Sequence, residues 1–149
     1  MTKVDYDGWI ANIGTITLEE IITGFQPNVK TGAITTFTGI VREISDVEDK
    51  KVVEIEIEAW EDKADESMRK IAQRIGIAHH LLGVRIVHVA GNIKLGQPIV
   101  FVALTSIHRK EAFEALEEII QAYKNESPVW KKEIYDDGSS KWITTAKAT

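Results

Sequence analysis

The chain has 149 residues, 44% hydrophobic and 28% charged, with a formal net charge of −5, which suits one compact domain and argues against a nucleic-acid partner held by a basic surface. No run approaches the ~18 apolar residues that span a bilayer, and the N-terminus lacks the charged-then-apolar order of a signal peptide, so a cytoplasmic protein without membrane attachment is expected. Cysteine is absent, which excludes disulfides, thiolate metal sites and cysteine-borne sulfur or acyl chemistry.

Thr17-Leu-Glu-Glu20 fits a capping box, and a short helix should run from it to about Gly24, stopped by Gly24 and Pro27. The segment from Gly32 to Arg42 is rich in β-branched residues and reads as a strand, with Gly39 marking a bulge or a close backbone approach. Arg42 closes it beside a charged loop, Glu43 to Lys51. From Val52 to Trp60 the pattern alternates, with Val53, Ile55, Ile57 and Ala59 on one face and Glu54, Glu56 and Glu58 on the other. Three carboxylates in a row suit a solvated sheet face better than a metal, which needs converging oxygens.

Between Asp62 and His80, the apolar residues Ala64, Met68, Ile71, Ala72, Ile75 and Ala78 keep helical spacing. His79 and His80 would be adjacent helical residues, about 100° apart around the axis, and so unable to chelate one ion together. Val84–Ala90 reads as a strand, followed by a turn region from Gly91 to Pro98. Ile99–Ser106 is nearly all apolar and should be a central strand.

A helix should follow from Lys110 to Glu126, burying Ala112, Phe113, Leu116, Ile119, Ile120 and Tyr123. His108 and Arg109 then stand at a strand-to-helix junction, where free N–H groups and the helix dipole favour anions. Pro128 ends the helix and turns the chain into an extended segment. Lys124 on the last turn and Lys131 at the start of the strand are brought close by that elbow. Such a pair can grip an anion or, if desolvated, carry a proton or act as a nucleophile; it can also be ordinary surface charge. Trp130–Tyr135 and Ser140–Ile143 flank a turn at Asp136-Asp-Gly138, and Thr144–Thr149 look frayed. The order α, β, β, α, β, β, α, β, β implies one α+β domain over residues 1–149. No Walker-type glycine loop or Mg²⁺ carboxylate set points to phosphoryl transfer.

Several of these pieces occur together in one family. They are Phe37-Thr-Gly-Ile-Val-Arg42, Ile57-Glu-Ala-Trp60, His88-Val-Ala-Gly91, Ser106-Ile-His-Arg109 and Lys124 through Pro128-Val-Trp-Lys-Lys-Glu133, trailed by Asp137-Gly138 and Trp142. In this order, over about residues 32–143, the chain resembles the large, catalytic subunit of molybdopterin synthase (the MoaE type). The resemblance implies an α/β-hammerhead fold with a mainly antiparallel sheet flanked by helices. It implies a sulfurtransferase that converts cyclic pyranopterin monophosphate (precursor Z) into molybdopterin. Sulfur would arrive as a thiocarboxylate on the C-terminal Gly-Gly of a separate, small ubiquitin-like (MoaD-type) subunit, and two large subunits would form the centre of a heterotetramer.

The resemblance makes Lys124 the main catalytic lysine and Lys131 the second. It gives substrate contacts to Ile40, Val41 and Arg42, an anion pocket to His108 and Arg109, and flanking roles in the binding segment to Lys132 and Glu133. No cofactor and no metal are called for. Many relatives carry His-Arg-x-Gly where this chain has His88-Val89-Ala90-Gly91, so that arginine's role is missing here or filled elsewhere. A chain without cysteine must receive its sulfur on a partner, and a cyclic phosphate needs cationic and N–H donors. A non-catalytic module that holds a phosphate or an acidic tail on the same basic cluster is the alternative.

Overall fold

A computed structural model describes residues 3–143. The elements are β1 (Asp5–Asn12), α1 (Leu18–Thr23), β2 (Ala33–Ile40), β3 (Val52–Ala59), α2 (Glu61–Ala78), β4 (Gly83–Lys94), β5 (Pro98–Ser106), α3 (Arg109–Glu126), β6 (Val129–Tyr135) and β7 (Ser140–Ile143). The strands form one seven-stranded sheet in the order β2-β5-β4-β3-β6-β7, with β1 paired to β4. All pairings are antiparallel except β1 with β4, so the architecture is the expected mainly antiparallel α+β. The expected fraying of Thr144–Thr149 falls outside the described residues. Among the described residues no helix is long and apolar enough to cross a membrane.

β4 is the spine. Its first part, Gly83–His88, pairs with β5, and Gly83–Ala90 pairs with β1. Its last part, Gly91–Lys94, pairs with β3. The strand turns between these halves at Gly91, whose φ of +116° is open to glycine and costly for other residues. One core fills the space between the sheet and helices α2 and α3, built from Met68, Ile71, Ile75, Ile86, Leu104 and Ile119. The second lies on the other side and carries Val41, Ile55, Ile57, Val87, Val89 and Phe101. Val89, at the position for which the resemblance implies an arginine, is thus buried among aliphatic neighbours.

Four local expectations are corrected. The strand β1 was not anticipated: Asp5, Asp7 and Gly8 are strand-poor residues that break its pattern. Gly8 is there because α2 lies directly on it, and a Cβ would come 2.8 Å from that of Met68. In β3 a register shift between Val52 and Glu54 leaves Val53 outside, 41% exposed, and buries Val52 in its place. In α3 the buried stripe runs through Ala112, Ala115, Ile119, Ala122 and Tyr123. Phe113 faces outward at 59% exposure, since small alanines let the helix sit close on the sheet. Helix α2 ends at Ala78, so His79 caps it and His80 takes a left-handed φ of 55°.

Candidate functional site

Pro128 ends α3 as expected, and Ser127 takes an extended φ/ψ of −88°/138°. The chain reverses into β6 with the Ser127 carbonyl accepting from Val129 N–H at 2.8 Å. Alternation then separates the residues of β6. Lys131, Glu133 and Tyr135 face inward, cross-strand from Ile57, Ile55 and Val52. Trp130 and Lys132 face out; Lys132 pairs with Glu56 at 2.8 Å and lies 5.2 Å over the Trp142 ring. Lys131 and Lys132 therefore serve opposite faces of the sheet.

Lys131 is the perturbed group. Burial pushes its ammonium below the usual lysine value, Glu133 pulls it back, Lys124 and Arg42 push it further down, and Asp46 opposes them. The structure thus brings Lys124, Lys131 and Arg42 together, from α3, β6 and the end of β2. Three cations within reach of one another's charge suit an anion, and the half-buried Lys131 can also carry a proton.

Arg42 follows β2 and is tied to the charged loop. Its guanidinium donates to Asp46 at 2.6 Å and to the Ile44 carbonyl at 3.1 Å. Glu133, only 6% exposed, anchors that loop by accepting from Ser45 Oγ at 2.7 Å and from the Tyr135 hydroxyl at 2.9 Å. Glu133 thus couples the strand of Lys131 to the loop of Arg42. Gly39 permits the approach of β2 to β5: the register shifts beside it, and a Cβ there would meet Val100 Cγ1 at 2.8 Å.

Two expected contacts are not available as expected. The backbone of Val41 is consumed by the β4–β5 turn. Its N–H donates to Gln97 at 3.0 Å and its carbonyl accepts from Gly96 at 2.8 Å. Its side chain is 1% exposed, whereas Ile40 is open at 45%. His108 and Arg109 sit at the far end of α3, roughly 22 Å from Lys124 along the helix. His108 is the N-cap, its N–H donating to Glu111. One chain cannot bring this pair to the two lysines.

His88, expected in a strand and in the His88-Val-Ala-Gly91 motif, packs against Tyr123, expected in the buried stripe of α3. His88 is 7% exposed and its ring stands edge-on to Tyr123 at 6.0 Å. Burial holds the imidazole down to about 4; the Val89 carbonyl opposes this and the charge of Lys131 adds to it. Burial likewise raises the Tyr123 hydroxyl. A histidine inside an otherwise apolar strand was the sequence sign of this packing. Neither of two surface pockets includes Lys124 or Lys131. One, about 490 Å³, lies by Trp60 and Arg74; the other, about 280 Å³, lies by His79 and His108.

Residues 13–126 match the model of the MoaE protein family. The chain belongs to that family. A molybdopterin synthase catalytic subunit of Oryza sativa subsp. indica is 38% identical over 72% of this chain and 54% of its own length, so the chain spans about half of that relative. A catalytic subunit of the same name from Bacillus subtilis is 38% identical over 86% of this chain and 79% of its own. The molybdopterin synthase structure from Staphylococcus aureus superposes with a TM-score of 0.80 at 32% identity, covering 93% of this chain and 96% of that one. The matched span takes in α3 with Lys124 and ends before β6, which carries Lys131.

Proposed function

We propose that the chain is the large subunit of a molybdopterin synthase, acting in the cytoplasm as one MoaE-like catalytic domain over residues 1–149. Its substrate is cyclic pyranopterin monophosphate, and its sulfur comes from the C-terminal thiocarboxylate of a small ubiquitin-like subunit. The observation that carries this reading is Lys131, desolvated and pressed by Lys124 and Arg42 in one cleft. Arg42 supplies a planar fork for the phosphate once Asp46 yields it. Lys131 has a lowered proton affinity and can protonate the alkoxide that leaves as the cyclic ester opens. Lys124, exposed on the last turn of α3, stands where an incoming acyl tail can reach it. Sulfur bonds to a side-chain carbon of the pterin as that carbon's C–O bond breaks and the oxygen leaves protonated; water then cleaves the acyl–sulfur bond and the tail leaves as a carboxylate.

His108 and Arg109 enter this reading from a second copy of the chain. Ile34, Ile107 and Phe113 are exposed apolar side chains around the free edge of β2, beside that pair, and a dimer would cover them. The test is a reconstitution with a thiocarboxylated small subunit and the cyclic precursor, following the oxidised pterin by fluorescence. Lys124→Ala and Lys131→Ala should each lower turnover at least ~100-fold while remaining folded by circular dichroism. Wild type that binds the small subunit tightly yet makes no product would point to a non-catalytic binding module.

A further inference from the structure

The elbow between α3 and β6 is Glu126, Ser127 and Pro128, with Lys124 just before it and Lys131 just after. All three elbow residues are held from one element, α2. Arg74 donates to Glu126 through both arms of its guanidinium, from Nη1 to Oε1 at 3.0 Å and from Nη2 to Oε2 at 2.8 Å. Ser67 Oγ lies 3.0 Å from Ser127 Oγ. The Pro128 carbonyl accepts at 3.2 Å from the N–H of Trp60, the N-cap of α2. Trp60, Ser67 and Arg74 recur every seven residues, a spacing that drifts only about 20° per step around a helix. One stripe of α2 therefore clasps three consecutive residues of the elbow.

Glu126 is the informative member. It closes the last turn of α3, where the helix dipole already concentrates negative charge and disfavours a carboxylate. Nothing local to α3 calls for an acid there; the Arg74 fork does. The two side chains are 55% and 45% exposed, and an ion pair so open to water adds little to stability. A two-bond fork supplies direction instead, because a planar guanidinium and a planar carboxylate meet in one orientation.

We propose that Arg74 is a positioning residue for the lysine pair: its fork on Glu126 holds the last turn of α3 so that Lys124 keeps a set distance from Lys131. What this does for catalysis rests on the synthase reading above; the clasp itself does not. Two ammonium groups repel, so an unrestrained end of α3 would carry Lys124 away from Lys131. Burial is the main cause that lowers the proton affinity of Lys131, and the charge of Lys124 adds to it. Glu133 of β6 opposes them, Arg42 acts with them and Asp46 against them. The titration of Lys131 therefore reports how near Lys124 stands.

Glu126→Ala decides the matter, because displacement and simple charge loss predict opposite signs. The variant relieves the dipole and gives up one exposed pair, so it should stay folded. Loss of a neighbouring negative charge, acting through space alone, would lower the proton affinity of Lys131; release of Lys124 raises it. Acetic anhydride labelling of Lys131 across pH, read by mass spectrometry, should show a higher midpoint than in wild type. A lower or unchanged midpoint overturns the proposal. In the reconstituted synthase the variant should lower kcat about 10- to 100-fold with KM within about twofold, the expected penalty for a displaced catalytic group. A kcat equal to wild type overturns the proposal. Arg74→Lys keeps the charge but loses the fork, so it should move both readouts the same way, and it takes the place of Glu126→Ala if that variant does not fold. Exchanging the two ends, Arg74→Glu with Glu126→Arg, rebuilds the pair and should return kcat to within about threefold of wild type. A folded but inactive double variant overturns the proposal. Absence of any product with wild type would refute the synthase reading, while the labelling result still decides the clasp.

Discussion

Replacing Glu133 by glutamine tests whether one buried carboxylate holds the two sides of the cleft together. The change keeps shape and one acceptor oxygen but removes the charge. Glu133 Oε1 accepts from both Ser45 Oγ and the Tyr135 hydroxyl, at 2.7 and 2.9 Å. A hydrogen bond to a charged group is worth about 1 kcal/mol more than a neutral one, so two bonds lose about 2 kcal/mol. Relief of burying a charge offsets part of this, leaving about 1–2 kcal/mol. For a chain of this size that lowers Tm by roughly 2–8 °C. Urea denaturation at pH 7 should show a lower midpoint with an unchanged slope, and proteolysis within residues 43–51 should speed up. An unchanged midpoint together with unchanged loop cleavage would refute the anchoring role, and with it the coupling of the Arg42 loop to β6.

Lys131→Met should stabilise the protein at pH 7, because a desolvated ammonium is removed. The lysine's folded pKa lies below its unfolded 10.5, so the unfolded state binds more protons in that window and wild-type stability rises with pH through it. The advantage of the variant should therefore shrink as pH approaches 10.5, which urea midpoints at pH 7 and pH 10 would show; a constant difference contradicts the assigned burial. Gly39→Ala should cost about 1–3 kcal/mol, since its Cβ would meet Val100 Cγ1 at 2.8 Å in a packed strand pair. A thermal scan equal to wild type would mean β2 yields freely there.

The parts legible in the sequence were those governed by local pattern. The apolar run of β5, the Pro128 stop after α3 and the alternation of β3 each follow from nearest neighbours along the chain, and Lys124 and Lys131 converge because one elbow joins them. What escaped depends on contacts distant in sequence. Gly8 looks like a strand breaker until α2 is seen lying on it. The edge-on packing of His88 against Tyr123 joins residues far apart in the chain. The backbone of Val41 looks available until Gly96 and Gln97 fold back onto it. His108 and Arg109 carry a sound local anion signal, but the length of α3 separates them from the lysines of their own chain.

The division of β4 at Gly91 has a mechanical side. Arg42 belongs to the half of the sheet built on β5 and β2, and Lys131 to the half built on β3 and β6, with β4 common to both. The two cations therefore ride on opposite arms of a calliper whose pivot is one glycine. The angle between the arms, and with it the span between guanidinium and ammonium, is held by the core that Val41 and Phe101 share with Ile55 and Ile57. The bond from Ser45 to Glu133 is the stop that limits how far the calliper opens.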